Sequence, residues 1–408
     1  MLTRITLLVA VLLLLPTLYI HFVYVARCTS LHAWRLLSFL PALLLAAYFL
    51  WARQYDDLLP DHQGIIGTFV FILLLICVPA LLFCLVDALG RLLCWLLALC
   101  AGHPLSLRPV RIIALALSLS ALLILLHGYF LGSRHYVVSR HTLCFDNLPP
   151  QFDGYKIAFF SDLHIGTFRA GRQGDVETIA RLIDGERCDL ILFGGDLVNA
   201  HVAELDGFET ALASLQAPDG VVAVMGNHDY PSYGRFANQT EKASHLLQLY
   251  ARQEALGWQL LRNDHLLLSK QGAHIAVVGS QNDGNPPFPA LGDLPRATAG
   301  LDGVMRDKDG QGGAHLFTIL LTHDPTHWRR RVVPDTNIDL TLSGHTHAGQ
   351  LQLFGWSPVS WIYDEWSGPY VEGPQVLLVS NGVGEVLFPF RFGAWPEVNI
   401  ITLKRTRR

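Results

Sequence analysis

Charged residues are scarce in the first third of this sequence. They make up 16% of the 408-residue chain, whereas soluble domains usually carry about 25%. Positions 1–132 contain seven Arg and four Asp but neither Lys nor Glu, since the first Lys is Lys156 and the first Glu is Glu177. Subtracting these 11 from the 30 basic and 34 acidic residues leaves 53 charges for the remaining positions. The imbalance excludes an ordinary soluble enzyme and predicts a lipid-facing part followed by a water-soluble part.

The water-soluble part lacks an excess of basic residues and has few cysteines. Its net charge is −7, because the first 132 positions carry +3 and the whole chain −4. Surfaces that bind nucleic acid are usually basic, so we expect no nucleic-acid partner. Five of the seven cysteines lie in or beside the apolar part, which leaves Cys144 and Cys188. Two cysteines exclude a disulfide framework and permit at most one bridge.

Four uncharged apolar runs have about the length that a membrane span requires. A helix needs about 20 mostly apolar residues to cross the hydrocarbon core. The runs are Ile5–Ala26, Leu36–Ala52, His62–Val86 and Ile112–Ser133. A fifth run, Leu92–Leu107, either extends the third span or lies at the membrane interface. The first run continues without a small-residue cleavage site, so we interpret it as an uncleaved span rather than a signal peptide.

The distribution of Arg residues between the loops predicts the orientation of the spans. The loops that follow the first and third spans contain Arg27, Arg35, Arg91, Arg108 and Arg111. The opposite side carries Arg4, Arg53, Arg134 and Arg140. Because Arg-rich loops tend to stay in the cytoplasm, four spans place the water-soluble part outside it, and a fifth span would invert this orientation.

From Tyr155 onward, apolar runs of strand length alternate with helix-like stretches, which is typical of an α/β sheet buried on both faces. The predicted strands are Lys156–Phe160, Leu190–Phe193, Val221–Met225, Ile275–Val278, Phe317–Leu321 and Leu340–Leu342. The predicted helices are Gly174–Ile183, Glu204–Leu215, Glu241–Leu256 and Pro325–Val332. The stretch Asn282–Gly313 is rich in Gly, Asp and Pro, so we interpret it as a loop insertion.

Five of these strands lead directly into side chains that can bind metal. The side chains are Asp162 and His164, Asp196, Asn227 with His228, His323, and His345 with His347. Ligands of open α/β sheets bind beyond the carboxyl ends of the strands, so we expect all five sets to converge. Carboxylate, imidazole and amide ligands without thiolate suit Mn, Fe or Zn. Asp229 is a candidate to orient His228, and we expect His327 to be solvated.

Together these motifs resemble the signature of the calcineurin-like metallophosphoesterase family, and more narrowly its bacterial membrane-anchored type. The resemblance extends from about position 138 to 405. Supporting motifs of the narrower type are Gly349-Gln350, Ser380-Asn381-Gly382 and Pro396-Glu397-Val398. Ala348 departs from this pattern, because that type usually has Gly there. The resemblance implies a four-layer αββα sandwich at 153–408, after a linker and first strand at 134–152 and a transmembrane anchor region at 1–133.

The resemblance also implies a pair of divalent metal ions and the residues that hold them. One ion would be held by Asp162, His164, Asp196 and His347. The other would be held by Asp196, Asn227, His323 and His345. Asn227 and His228 are expected to contact the phosphate, and His228 either protonates the leaving oxygen or orients the phosphate.

The predicted function is hydrolysis of phosphomonoesters, phosphodiesters or pyrophosphates by an enzyme anchored in a bacterial cell membrane. Two cations neutralise phosphoryl oxygens and activate water, which is the chemistry that phosphate esters require. The substrate is lipid-linked in one hypothesis and soluble in the other. Two alternative functions are a non-catalytic membrane scaffold or binding protein on a phosphoesterase fold, and a nuclease, which the acidic water-soluble part disfavours.

Overall fold

A computed structural model describes residues 2–28, 31–55, 59–169, 171–301 and 315–406 of the chain. They form two compact units, which we describe separately. The first unit contains Met1–Asp56 and Gly64–Phe130, and the second contains Asp57–Gln63 and Leu131–Arg408. Neither Cys144 nor Cys188 forms a disulfide with a described residue.

The first unit contains helices and no strand in its described residues. Its helices are α1 (Leu2–Ile20), α2 (Ala26–Cys28), α3 (His32–Leu37), α4 (Leu40–Ala52), α5 (Pro60–Ala101) and α6 (Arg108–Phe130). By length and composition, four described segments can cross a membrane, namely Leu8–Cys28, Arg35–Tyr55, Pro60–Ala101 and Arg108–Arg134. The prediction of about four apolar helices is therefore confirmed. Helix α5 has 42 residues, so the fifth apolar run continues the helix of the third predicted span as far as Ala101.

Asp87 is the only acidic residue within the predicted spans and the continuation of the third one. Its carboxylate is hydrogen-bonded inside the helical unit. Asp87 on α5 is fully buried and accepts hydrogen bonds of 2.7 Å from the Tyr19 hydroxyl and from Nε of Arg91. A carboxylate inside a membrane segment is costly unless it has such partners. This pairing explains how one helix continues through both charged positions.

The second unit contains two six-stranded sheets in its described residues. Its strands are β1 (Val137–Phe145), β2 (Lys156–Phe160), β3 (Leu190–Phe193), β4 (Val221–Ala223), β5 (Trp258–Leu260), β6 (Asp264–Lys270), β7 (Ala273–Gly279), β8 (Thr318–Leu321), β9 (Leu340–Ser343), β10 (Gly368–Glu372), β11 (Gln375–Val379) and β12 (Glu397–Arg405). Its helices are α7 (Gln173–Gly185), α8 (Glu209–Ala213), α9 (Gln239–Ala255), α10 (Leu294–Ala297) and α11 (Val333–Asp335). The sheet orders are β1-β12-β2-β3-β4-β5 and β10-β11-β9-β8-β7-β6.

Both sheets are mixed, but the strands that precede the predicted ligands are parallel. Strands β2, β3 and β4 pair in parallel within the first sheet, and β8 pairs in parallel with β9 within the second. The antiparallel pairs lie elsewhere, at β12 with β2, β6 with β7, and β10 with β11. The carboxyl ends of the ligand-bearing strands therefore share one edge within each sheet.

The alternation of side chains along the strands builds four layers. Ile157 and Phe159 of β2 pack in a cluster that also contains Ile319 and Leu342 of the second sheet. The intervening Ala158 and Phe160 belong to a cluster with residues of α7, α8 and α9 on the other face. A third cluster joins the second sheet to α10 and to the helical turn Trp328–Val332. Since successive side chains of a strand point to opposite faces, this is the predicted αββα sandwich.

Some predicted elements differ from the observed ones. The predicted helix Glu204–Leu215 is a short turn, Val202–Leu205, followed by α8, and Gly207 between them has a left-handed φ of +89°. The predicted loop insertion contains α10 in its described part, and positions 302–314 lie outside the described residues. Strands β5, β6, β10 and β12 were not predicted, because their apolar runs are short or interrupted by polar residues. Strand β11 was not predicted either, although Val376–Val379 is an uninterrupted apolar run.

Candidate metal centre

Every predicted ligand lies in a loop that begins where a strand ends. The loops follow β2, β3 and β4 of the first sheet and β8 and β9 of the second. The structure brings Asp162, His164, Asp196, Asn227, His323, His345 and His347 together, with His228 beside them. Convergence at the carboxyl ends of the strands is the arrangement expected for ligand sites in α/β proteins.

The first group of possible metal ligands consists of Asp162, His164 and His347. Their donor atoms all lie within 4.8 Å of one another, and all three residues are buried. Nε2 of His164 lies 3.2 Å from Nε2 of His347, which in turn lies 3.4 Å from Oδ1 of Asp162. Two imidazole nitrogens and a carboxylate that point at a common centre suit a divalent cation.

The second group consists of Asp196, His323 and His345, whose donor atoms also lie within 4.8 Å of one another. Oδ2 of Asp196 is 3.1 Å from Nε2 of His323 and 3.6 Å from Nε2 of His164 in the first group. The Asn227 side chain joins this group, because its Oδ1 is 2.8 Å from Nδ1 of His345. Asp196 therefore lies between the two groups, where its carboxylate can serve both.

The backbone at these ligands is strained. Left-handed φ angles occur at Asp162 (55°), His164 (45°), Asp196 (57°), His345 (73°) and His347 (51°). Each such residue costs roughly 1–2 kcal/mol relative to a right-handed conformation. Strain of this kind persists where the surrounding structure enforces it, and it concentrates at functional sites.

Two glycines allow the loops to approach the carboxylates closely. A Cβ added to Gly226 would collide with the side chain of Asp196, and one added to Gly344 would collide with that of Asp162. Gly226 directly precedes Asn227, and Gly344 directly precedes His345. Their role is thus steric, because they make room for the two acidic ligands.

In two of the histidine ligands, His323 and His347, the second ring nitrogen faces a polar group behind the site. Nδ1 of His323 donates to the carbonyl oxygen of Gly194 at 2.9 Å, which directs Nε2 toward the second group. Nδ1 of His347 lies 3.0 Å from Nη2 of the fully buried Arg391. The contact at His323 leaves the Nε2 lone pair free for a cation, whereas Arg391 can only donate a hydrogen bond to Nδ1 of His347.

His345 has two candidate partners behind it. Its Nε2 lies 2.9 Å from the Tyr363 hydroxyl and 3.5 Å from Oδ2 of Asp324. Asp324 is fully buried, and this oxygen accepts no hydrogen bond from a described residue. An N–H on Nε2 would supply the missing donor and leave Nδ1 free to bind a cation.

Sequence reasoning missed Asp324, Tyr363 and Arg391 as supports of the site. Asp324 directly follows a predicted ligand, so its position could have drawn attention. Tyr363 and Arg391 are 16 and 44 positions beyond His347, in stretches without a recognisable pattern. Their contribution depends on tertiary contacts that no local pattern predicts.

Asp229 does not orient His228, contrary to one of our sequence hypotheses. Its carboxylate accepts four backbone N–H groups, from Asp196 at 2.8 Å, Leu197 at 2.8 Å, Val198 at 3.2 Å and Gly226 at 2.9 Å. Burial and the charge of Asp196 raise the pKa of Asp229 to about 7, while these donors favour its charged form. The residue links the loop after β3 to the loop after β4, and so positions Asp196.

The imidazole of His228 is held by other contacts. Its Nδ1 donates to the carbonyl oxygen of Asn199 at 2.7 Å, and its backbone N–H donates to Oδ1 of Asp196 at 2.8 Å. The ring stacks on Tyr233 with 3.8 Å between the ring centroids, and the Tyr233 hydroxyl accepts a hydrogen bond of 2.6 Å from Nδ2 of Asn227. The Nε2 atom of His228 is therefore the nitrogen left to meet a substrate.

The expectation that His327 is solvated is wrong. Its side chain is buried, with Nδ1 2.8 Å from the Thr322 hydroxyl and Nε2 3.3 Å from Oδ2 of Asp283. Thr322 precedes the ligand His323, and Asp283 begins the insertion after β7. His327 thus connects the insertion to the loop that carries a candidate ligand.

The charges of the site favour cation binding. Burial raises the pKa of Asp162 to about 6, whereas neighbouring imidazolium charge, chiefly that of His323, overcomes burial and lowers the pKa of Asp196. Asp196 likewise overcomes burial at His323 and raises its pKa to about 10. Burial lowers the pKa of His345 to about 4 and that of His164 to about 3, so both rings offer neutral lone pairs at pH 7. Carboxylates and neutral imidazoles are the donor set that transition-metal cations require, so a cation bound at His323 has to displace the proton of that ring.

Comparison with known proteins identifies the family. The family model of the calcineurin-like phosphoesterases matches residues 155–349. The "Uncharacterized metallophosphoesterase YkuE" of Bacillus subtilis (strain 168) is 30% identical over 296 residues, which cover 69% of this chain and 90% of YkuE. A metallophosphoesterase of Aquifex aeolicus (strain VF5) is 28% identical over 68% of this chain and 94% of its own length.

A relative from Bos taurus extends the similarity into the apolar part. This "Transmembrane protein with metallophosphoesterase domain" is 26% identical over 355 residues, which cover 83% of this chain and 72% of the relative. The four apolar helices and this relative together indicate a protein integrated in a membrane. The chain therefore belongs to the calcineurin-like metallophosphoesterase family.

Proposed function

We propose that this protein is a membrane-anchored phosphoesterase that uses two divalent cations of the Mn, Fe or Zn type. One cation is held by Asp162, His164, Asp196 and His347, and the other by Asp196, Asn227, His323 and His345. The observation that carries the proposal is the position of Asp196, whose Oδ2 lies within 3.6 Å of His164 in one group and 3.1 Å of His323 in the other. That position suits a carboxylate that is shared by both cations.

The substrates of this proposal are phosphomonoesters, phosphodiesters or pyrophosphates. Bound cations at such a site neutralise charge on the phosphoryl oxygens and make water a stronger nucleophile. The charge of the phosphate would be neutralised by the metal pair and by the imidazoles around it, and Arg391 adds a positive charge behind His347.

His228 is the proposed general acid. Because its Nδ1–H is engaged by Asn199, a second proton on Nε2 would face the substrate. That proton can pass to the leaving oxygen as the phosphorus–oxygen bond breaks. Tyr233 keeps the ring in this orientation by stacking on it, and it holds the Asn227 amide through the hydrogen bond from Nδ2.

Two substitutions test these roles by measuring metal content and turnover together. Asp196→Asn should remove both bound metal and activity, whereas His228→Ala should retain metal and lose turnover, least with good leaving groups. Asp206→Asn, the same change at an exposed ion pair with Arg252, serves as the matched control. Full activity with metal retained in Asp196→Asn contradicts the shared ligand, and loss of metal in His228→Ala makes that residue a ligand instead.

A substrate panel separates this proposal from its alternatives. The full-length protein is incubated with chromogenic phosphomonoesters and phosphodiesters, and then with DNA, with and without Mn²⁺. Metal-dependent hydrolysis of the small esters supports the proposal, and preferential cleavage of DNA identifies a nuclease. A preparation that binds no metal and hydrolyses none of these substrates is a scaffold on a phosphoesterase fold.

The proposed location is a bacterial cell membrane, with residues 1–133 as the anchor, residues 134–152 as the linker and first strand, and the catalytic domain at 153–408 outside the cytoplasm. The support for the orientation is the Arg distribution between the loops. A reporter enzyme that is active only outside the cytoplasm, fused to the C-terminus, should be active. An inactive fusion with a normally expressed chain contradicts the orientation.

A further inference from the structure

The loop that follows the ligand His347 displays large apolar side chains to solvent. Positions 348–363 contain no charged residue and no His, although they lie in the water-soluble part of the chain. Within them, Phe354 is 107% exposed, Trp356 42%, Trp361 77% and Ile362 78%. We call these four residues the apolar lip. Monomeric soluble proteins seldom expose such clusters unless the cluster binds something.

The backbone at the tip of this loop is strained to present an aromatic ring. Leu353 and Trp356 exchange backbone hydrogen bonds of 2.8 and 3.0 Å, so Phe354 and Gly355 form a two-residue hairpin turn. Both turn residues have left-handed φ angles, 52° and 81°. Such turns favour Asn and Gly, and a bulky residue there costs roughly 1–2 kcal/mol. Phe354 recovers none of this by burial, so its side chain serves a purpose outside the fold.

A neighbouring turn repeats the same feature. Leu387 has a φ of 69° and is 58% exposed. Its turn contacts the loop at positions 348–363, because Oε1 of Gln350 accepts a hydrogen bond of 2.7 Å from the backbone N–H of Val386. Two bulky apolar residues are thus held in strained, exposed positions at adjacent turns. This repetition argues against an accidental exposure of Phe354.

The lip is firmly connected to the candidate metal centre. The Ser357 hydroxyl donates to the carbonyl oxygen of Ala348 at 2.8 Å, and the Gln352 N–H donates to that of Phe392 at 2.7 Å. Ile362 is followed directly by Tyr363, whose hydroxyl lies 2.9 Å from Nε2 of the ligand His345. A molecule held at the lip is therefore adjacent to the edge of the site on the His345 side.

The composition of the lip matches a lipid interface. Trp residues are enriched where proteins meet the headgroup region, and Trp, Phe and Leu form the apolar face of segments that lie in it. The chain carries four apolar helices that can cross a bilayer, so its water-soluble part operates tethered to a membrane. A bilayer is thus always within reach of this domain, whereas any other partner must be recruited.

We propose that the apolar lip inserts into the bilayer interface and that the ester hydrolysed beside it is the headgroup of a membrane lipid. The substrate part of this proposal rests on the phosphoesterase function proposed above, and the insertion of the lip does not. The lip would hold the interface next to His345, so that a headgroup reaches the metal centre while its acyl chains stay in the membrane. The chemistry of the ligand is a phosphate ester with an apolar tail.

Photo-crosslinking tests the insertion directly and needs no catalytic activity. The full chain is reconstituted in nanodiscs whose lipids carry a diazirine close to the headgroup, and crosslinked peptides are mapped by mass spectrometry. We expect labelling of 353–363 in addition to the membrane spans, which are the internal positive control. Labelled spans with an unlabelled lip overturn the proposal. Crosslinks between the lips of two chains overturn it in favour of a dimer contact.

A matched pair of substrates tests the consequence for catalysis. One is a lipid with a p-nitrophenyl phosphodiester headgroup in the nanodisc, and the other is soluble bis-p-nitrophenyl phosphate. The double variant Phe354→Ser and Trp361→Ser should lose at least tenfold in kcat/KM on the lipid and retain its activity on the soluble ester. Val371→Ser, at a residue that is 68% exposed on β10, should change neither activity.

The outcomes distinguish this proposal from the phosphoesterase function. An unchanged rate on the lipid in the double variant overturns the role of the lip in substrate delivery. An equal loss on both substrates also overturns it, since the lip then supports the site rather than the membrane contact. If the wild-type chain hydrolyses neither ester, the proposed function fails, and the crosslinking result still decides whether the lip enters the bilayer.

Discussion

The role assigned to Asp229 predicts a large effect from a one-atom change. Its carboxylate accepts four buried N–H groups, from Asp196, Leu197, Val198 and Gly226. In Asp229→Asn, one oxygen becomes an NH₂ group that faces two of these donors. Each lost hydrogen bond to a charged group costs about 1.5–3 kcal/mol. For two lost hydrogen bonds, we therefore expect the loop after β3 to lose roughly 3–6 kcal/mol of local stability.

Hydrogen exchange measures this loss at the donors themselves. Protection of the amides at 196–198 should fall by about a hundredfold or more, because every 1.4 kcal/mol corresponds to about a factor of ten. Bound metal should fall as well, since Asp196 loses its support. Asp206→Asn is the control, and an exposed pair of this kind contributes at most about 1 kcal/mol. Unchanged protection with lost turnover would refute the reasoning and restore Asp229 as a partner of His228.

Three further predictions concern the titration and support of the imidazoles. Asp196 raises the pKa of His323 to about 10, so metal binding at pH 7 should release about one proton per chain, from His323, and the metal affinity should rise about tenfold per pH unit. Calorimetry in two buffers counts the released proton, and a count of zero contradicts the ion pair between His323 and Asp196. Asp324→Asn should weaken metal binding about 10–100-fold by removing the carboxylate behind His345, and an unchanged affinity would assign that support to another group. Burial lowers the pKa of His245 from 6.5 to about 4, so this imidazole binds a proton more tightly in the unfolded chain than in the folded one. Its contribution to the stability of the fold is therefore lost as the pH falls from about 6.5 to 4. The melting temperature of a His245→Phe variant should decline less over that range than that of the wild type, and equal declines of the two proteins refute this prediction.

The elements that sequence reasoning predicted best are those whose evidence is local. Strands β2 and β3 contain short continuous apolar runs, and a metal-binding side chain follows each run within three positions. Helices α7 and α9 were predicted to within a few residues, because their apolar positions recur with the period of a helix. A buried strand and an amphipathic helix both leave such a record in consecutive residues.

The elements that were missed depend on distant partners. Strand β12 lies between β1 and β2, and its pairing joins Val137 to Glu397, 260 positions later. Its sequence alternates apolar and polar residues only in part, so its pattern alone does not distinguish it from a loop. The burial of His327 likewise depends on Asp283, which belongs to a segment without a predicted element. Local patterns carry no information about such contacts.

By itself, the sequence determined the division into an apolar and a charged part, and it marked strand ends that carry metal-binding side chains. Both follow from composition and from the order of neighbouring residues. Only the tertiary structure decided that Asp196 lies between two groups, that Asp229 binds backbone rather than His228, and that the apolar lip adjoins the site. These depend on folding that joins distant positions, as when Asp162 accepts the N–H of His345 across 183 residues.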